Sequence, residues 1–293
     1  MSRGQAIHVG GPWRDPGMWM ALPAVLFMLL VFVYPFADGL RLSFAPTEGG
    51  GAFDNYVKFF TTASQWSTIA TTMKLALPAT LINVGIALPL AYRLRHKSAY
   101  QKVATTIITI PLTLGTVLIA EGMLTYFGPR GWFSQAVQAL HLYGGPVHLT
   151  HNYWGVLISL VISGFPFAFL LILSYVTGID PVLSRAAATL GATPMRQFRH
   201  IVLPLLAPGL AMTFCLSFVQ AFSVFPSAVL LGAPAGPTRV ISIAAYEAAF
   251  ENYDYSMASA IAMIMGATQL AVVVAVLALR GFAYRGPVSG GKG

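Results

Sequence analysis

The sequence predicts an all-α, polytopic membrane protein of about six transmembrane helices, with a helix–turn–helix carried on a cytoplasmic loop. Three observations predict it. Charged residues make up 9% of the chain and hydrophobic residues 56%. Six apolar stretches are each long enough to cross a bilayer. The basic residues gather on one side of the spans they connect.

A soluble domain carries roughly 25% charged residues. A chain of 293 residues with 9% charge cannot cover a globular surface with polar groups. Its solvent is largely lipid. The lone cysteine, Cys215, lies in an apolar run, which excludes a disulfide framework and a cysteine metal cluster.

A spanning helix needs roughly 20 mostly apolar residues. The stretches 18–40, 69–92, 103–126, 153–175, 207–231 and 257–279 meet that need. Helices are the economical reading, because backbone polar groups in lipid must bond internally. Pro78, Pro89, Pro111, Pro166 and Pro226 fall inside these stretches, where membrane helices tolerate them. The first stretch has no small-residue cleavage site and reads as an uncleaved span. No internal repeat is visible, and the Gly-rich tail 286–293 reads as disordered.

With the N-terminus inside, the cytoplasmic basic residues are Arg3, Arg14, Arg93, Arg95, Lys97, Lys102, Arg185, Arg196, Arg199, Arg280, Arg285 and Lys292. Arg41, Lys58, Lys74, Arg130 and Arg239 remain, so twelve of seventeen are inside. Of the nine acidic residues, only Asp15 and Asp180 join them. This bias puts both termini in the cytoplasm. The net charge of +8 therefore reports membrane orientation and not nucleic-acid binding.

The segment 180–204, between the fourth and fifth spans, has its own punctuation. Asp180 suits an N-cap and Pro181 the first helical position. Gly191 suits the left-handed residue just past a helix end. Thr193 and Pro194 repeat the start signal, and Pro204 marks the junction with the next span. Leu183, Ala187 and Leu190 share one stripe; Met195, Phe198 and Val202 share another. Such a pair of short apolar helices seeks a protein groove. The competing structural reading is an amphipathic loop lying on the membrane surface.

This segment resembles the cytoplasmic "EAA" loop of ABC importer permeases: Glu-Ala-Ala, three residues, Gly, nine residues, Ile, one residue, Leu-Pro. The chain has Ala186-Ala187, Gly191, Ile201 and Leu203-Pro204 at those spacings, with Ala192, Leu190 and Phe198 among them. It departs at Arg185, where the family usually has Glu. The resemblance runs over about 65–280 and implies four parts: residues 1–17 as a cytoplasmic tail, 18–64 as the first span with a periplasmic segment, 65–280 as the transmembrane domain, and 281–293 as a second cytoplasmic tail.

The resemblance also implies partners: a second permease subunit, two ATPase subunits that each receive one such loop, and a periplasmic substrate-binding protein. No Gly-x-x-x-x-Gly-Lys-Ser/Thr phosphate loop occurs. ATP and magnesium would sit on the ATPase, with no cofactor on this chain. The location implied is a bacterial inner membrane. The layout is most similar to the spermidine/putrescine group, through Ala21-Leu-Pro-Ala24, Tyr34-Pro35, Leu42-Ser-Phe44, the segment 55–60 and the stretch 224–232. Permeases for sulfate, ferric iron and phosphonate share much of this.

Glu121 lies inside the third stretch, where a carboxylate faces either a substrate path or a partner group on a neighbouring helix. Asp38 lies near the outer end of the first. Glu247, Glu251 and Asp254, beside Tyr246, Tyr253 and Tyr255, form a candidate docking rim for the binding protein or a plain solvated loop. His141, His148 and His151 share a loop without metal-ligand spacing. A secondary transporter driven by an ion gradient is the other class of transporter the spans allow. It calls for paired broken helices in two halves and has no use for the 180–204 loop.

Overall fold

The computed structural model describes residues 16–47, 49–96, 98–128, 131–139 and 150–283. Arg3, Arg14, Asp15, Lys97, Arg130, His141, His148, Arg285, Lys292 and the tail 286–293 lie outside them. The described residues form helices and no strand, and six helices are long and apolar enough to cross a membrane.

The first span is α1 (Pro16–Met28), a π turn (Leu29–Val33) and α2 (Tyr34–Ser43). The π turn ends just before Pro35. There the wider winding relieves the clash between a proline ring and the carbonyl four residues back. A short α3 (Asp54–Thr61) leads to α4 (Ala63–Arg93), the second span. The third span is α5 (Ala99–Phe127), followed by α6 (Trp132–Ala139); the fourth is α7 (Tyr153–Thr177). The loop carries α8 (Pro181–Thr189) and α9 (Pro194–Gln197). A π turn (Phe198–Val202) joins α9 to α10 (Leu203–Phe222). Then come α11 (Pro226–Leu231), α12 (Ile241–Tyr246), a π turn (Glu247–Glu251) and the last span, α13 (Tyr255–Ala283).

Three expectations change. The third span is not one straight helix: Gly115, at φ 72° and ψ 166°, interrupts α5 four residues after Pro111. The fifth span does not reach residue 231. Its helix stops at Phe222, Phe225 lies outside the helical region at φ −133°, and α11 restarts at Pro226. The second loop helix is not separate from the fifth span either, although Pro204 does stand at the head of α10. Residues Pro194–Phe222 form one 29-residue rod, and the π turn before Pro204 absorbs its ring.

α4, α5, α7 and α10 pack together as the body of the protein, with α11 against α5 and α7, and α2 against α13. Along these helices two apolar clusters alternate with a polar layer. One cluster holds Leu75, Ala79, Ile119, Phe218 and Ile241. The other, at the 180–204 end, holds Ala91, Phe169, Ile172, Val202 and Leu206. Between them lie Asn83, Ser163 and Thr213, all buried. Close approach needs small residues, since lipid is as apolar as Leu and no hydrophobic force separates helix from tail. Gly155, Ser159 and Ser163 supply a buried stripe at four-residue spacing on α7. At Gly209 a β-carbon would lie 2.5 Å from the Tyr175 ring, so only glycine lets α10 cross α7 there.

Candidate functional site: a polar pocket and the loop behind it

The polar layer opens into a small pocket of about 80 Å³. Asn83 of α4, Thr116 of α5, Ser163 of α7, Ser217 and Gln220 of α10, and Ser227 of α11 line it. The Asn83 amide donates to the Leu160 carbonyl at 3.4 Å, while its Oδ1, with Ser217 Oγ and nearby Thr80 Oγ1, is buried without a partner. The Ser159 and Ser227 hydroxyls share a 2.8 Å hydrogen bond. Ser223 Oγ accepts from Gln269 Nε2 of α13 at 2.8 Å. Gly164 makes the room: a β-carbon there would lie 2.6 Å from Asn83 Nδ2.

Among the described residues no charged one lines this pocket. Buried polar atoms without partners mark a place that expects a ligand or water. The Gly115 break sits next to Thr116, so the backbone of α5 departs from the helix beside the pocket. Irregular backbone at membrane depth is tolerated where protein buries it or a cavity receives it. Sequence reasoning missed this site because each helix contributes only one or two ordinary polar residues. The available signals were Gly164 next to Ser163 and the glycine after Pro111.

The acidic candidates fall elsewhere. Glu121 is exposed on the α5 face turned away from the four-helix body, in an open recess of about 670 Å³ with Leu118, Thr125, Tyr126 and Trp132. Asp38 is exposed on α2 and does not join it. Glu247 is engaged: Arg239 donates to its Oε2 from Nε at 3.0 Å and from Nη2, and to the Ser64 carbonyl at 2.8 Å. Asp254 caps α13, accepting from the Met257 N–H at 3.0 Å and from Thr47 Oγ1 at 2.8 Å. Of the three rim carboxylates, Glu251 is exposed and makes no such bond among the described residues. Among the described residues no His, Cys, Asp and Glu group is placed to hold a metal.

The 180–204 loop folds as its punctuation requires. Asp180 caps α8 by accepting from the Val182 N–H at 2.8 Å. Gly191 takes φ 81°; its N–H bonds the Ala188 carbonyl and the Ala192 N–H bonds the Ala187 carbonyl, both at 3.0 Å. This paired 5→2 and 6→1 pattern is a Schellman end. Thr193 occupies the next N-cap but makes no side-chain cap; Gln197 Nε2 ties back to the Ala192 carbonyl at 2.8 Å. Phe198 packs edge-on against Tyr92 of α4, 4.7 Å between centroids. Val202 is buried and Ile201 half-buried, so the loop is rooted in the body. Leu203 is half-buried and Pro204 exposed at the head of α10.

The tip is the opposite. Leu183, Leu190 and Met195 are 45%, 88% and 70% exposed, an uncovered apolar patch of the kind that marks a protein contact. At 100° per residue, Leu183, Ala186 and Ala187 face one way from α8, while Pro181, Ser184, Arg185 and Ala188 face the other. Arg185 therefore does not share the apolar face.

Residues 83–283 match the family described as binding-protein-dependent transport system inner membrane component. The chain belongs to that family. The permease is 26% identical over 262 residues to the probable starch degradation products transport system permease protein AmyD of Thermoanaerobacterium thermosulfurigenes, covering 85% of this chain and 89% of that one. It is 23% identical over 268 residues to the sulfate transport system permease protein CysT of Escherichia coli (strain K12), covering 90% and 93%. Its fold superposes on a chain of a bacterial alginate ABC transporter solved with an alginate pentasaccharide-bound periplasmic protein. The TM-score is 0.80, the identity 22%, and the coverage 94% of this chain and 98% of that one. A chain of the MetNI methionine ABC transporter matches with TM-score 0.60 at 14% identity over 75% of the permease and 95% of its own length. The permease is a multi-pass inner-membrane subunit of an ABC importer.

Proposed function

We propose that the permease passes a solute recognised by hydrogen bonds and not by charge pairing, of the sulfate or saccharide kind. The uncharged polar pocket beside the broken α5 carries this reading. Amide and hydroxyl groups from five helical elements converge on it, and among the described residues no carboxylate reaches it. A polyamine would need carboxylates in that position, because desolvating an ammonium without a partner is costly. Relatives named for sulfate and for starch degradation products support the same class.

The machine around it follows the sequence. The apolar tip at Leu183, Ala187 and Leu190 docks a separate ATPase on the cytoplasmic side. A second permease covers the face of α5 that bears Glu121. A periplasmic binding protein delivers the solute at the opposite end, near Glu251, and both termini are cytoplasmic. ATP with magnesium acts on the ATPase. Displacement of the docked tip drives the change of access.

A second reading rests on one observation: Glu121 is a carboxylate on an open, partly apolar recess within the third span. On this reading the solute is a polyamine cation passing between the two permeases. Uptake into proteoliposomes holding the complete importer separates them. Accumulation of labelled sulfate or a malto-oligosaccharide, lost in Asn83→Leu and retained in Glu121→Gln, supports the first. Accumulation of spermidine, lost in Glu121→Gln and retained in Asn83→Leu, overturns it.

A further inference from the structure

A second pocket, of about 310 Å³, lies on the side of α8 opposite the apolar tip. Its lining brings together Arg95 and His96, from the turn between α4 and α5, with Ser184 and Arg185 of α8. Among the described residues Asp180 is the lone acid in the lining, and its carboxylate is committed to the Val182 N–H. Among the described residues no carboxylate pairs with either arginine. Arg95 is held in place: its guanidinium stacks over the Tyr92 ring at 4.1 Å, and its Nε donates to His96 Nε2 at 3.2 Å. Val176, Ile179 and Val202 form an apolar wall on the membrane side.

Two guanidinium groups gathered in one concavity repel each other unless an anion sits between them. Arginine's fork of donors suits a phosphate, and the half-buried Ser184 hydroxyl adds a donor that no described side chain uses. Because the pocket faces away from Leu183 and Ala187, a subunit docked on the apolar tip does not fill it. Basic pockets between helices on the cytoplasmic side suit phospholipid headgroups, and the apolar wall suits the glycerol and chain below one.

We propose that this pocket binds a phosphate-bearing anion, either an inner-leaflet phospholipid headgroup or free phosphate. The anion ties α8 to the α4–α5 turn and fixes the angle at which the loop meets its partner. The site stands whichever solute the importer carries.

The test uses the full chain in nanodiscs. Thermal melting is compared in phosphatidylcholine, in phosphatidylcholine with phosphatidylglycerol, and in phosphatidylcholine with inorganic phosphate, all at equal ionic strength set with chloride. Either anion should raise the melting temperature. A rise with phosphatidylglycerol alone assigns the headgroup; a rise with phosphate in neutral lipid assigns the soluble anion. Apparent affinity should fall about fivefold for each of Arg95→Gln and Arg185→Gln, and should hold in Arg196→Gln, which lies outside the pocket. Native mass spectrometry of the same variants reads lipid retention independently of their melting. No rise in the parent protein over the chloride baseline, or an undiminished rise in both arginine variants, overturns the proposal. So does a rise that appears only when the ATPase is added, since the arginines would then serve an acidic side chain of that subunit.

Discussion

The fourth span, Tyr153–Thr177, and the first, Leu22–Ser43, are 25 and 22 residues long, with mean hydropathies of 2.6 and 1.8. Yet 61% of the apolar stretch is buried within the protein in the fourth span and none in the first. The difference lies in small and polar residues. α7 repeats Gly155, Ser159 and Ser163 on one face, and all three are buried. The run 25–33 of the first span has no Gly, Ala, Ser or Thr, and every residue in it is exposed. Hydropathy decides that a helix enters the bilayer. It does not decide what the helix meets there, because lipid and leucine offer the same apolar surface.

Substitutions at five positions break or sharpen this contrast, the largest effect first. Gly164→Val drives a branched side chain into Asn83, whose amide already lies within 2.6 Å of a β-carbon there. Overpacking of this sort costs about 1–3 kcal/mol. A clear drop in melting temperature in detergent and loss of uptake are expected. A melt equal to the parent's would mean that the α4–α7 contact is looser than described.

Next comes the loop. Among the described residues nothing lies within 4 Å of a β-carbon at Gly191, so the penalty there is conformational, about 1–2 kcal/mol in the left-handed region. Gly191→Val should abolish uptake at normal membrane level, while Gly191→Asn, which tolerates that region, should retain most of it. Ala187→Asp places a charge on the docking face and should release the ATPase during copurification. Normal transport and normal ATPase recovery in all of them would remove the loop from the coupling role.

Glu121→Gln should change uptake by less than twofold if hydrogen bonding selects the solute, as initial rates across concentrations will read. The smallest effect belongs to the first span. Leu26→Ala, at a position 53% exposed, should shift the stability of the isolated subunit by less than about 0.5 kcal/mol. A drop as large as that of Gly164→Val would show the first span to be packed after all.

The same contrast explains what the sequence made readable. The spans were legible from apolar length, and the loop from Asp180, Pro181 and Gly191, whose backbone demands are local. The break at Gly115 was not, because a glycine four residues after a proline is tolerated in many straight membrane helices. Neither was the pocket: Asn83, Ser163, Ser217 and Ser227 are far apart in the chain, and only packing brings them together. Glu247 looked free beside Glu251 and Asp254 because its partner, Arg239, is contributed from before α12 and reaches it only once that segment folds.

The rod Pro194–Phe222 begins at the exposed loop and ends at the pocket wall. Gln197 and Ser217 lie on it 20 residues apart, a run of roughly 30 Å at 1.5 Å per residue. A tilt of about ten degrees, pivoting where Phe198 meets Tyr92, swings the Ser217 end by roughly 5 Å, about half a helix diameter. On the coupling role proposed for the loop, the aromatic joint would serve as a fulcrum with unequal arms: a short arm outside the membrane and a long one within it. If the loop couples as proposed, a small push at Met195 would become a larger displacement at Ser217, and the pocket would open by a motion too slight to unseat the loop.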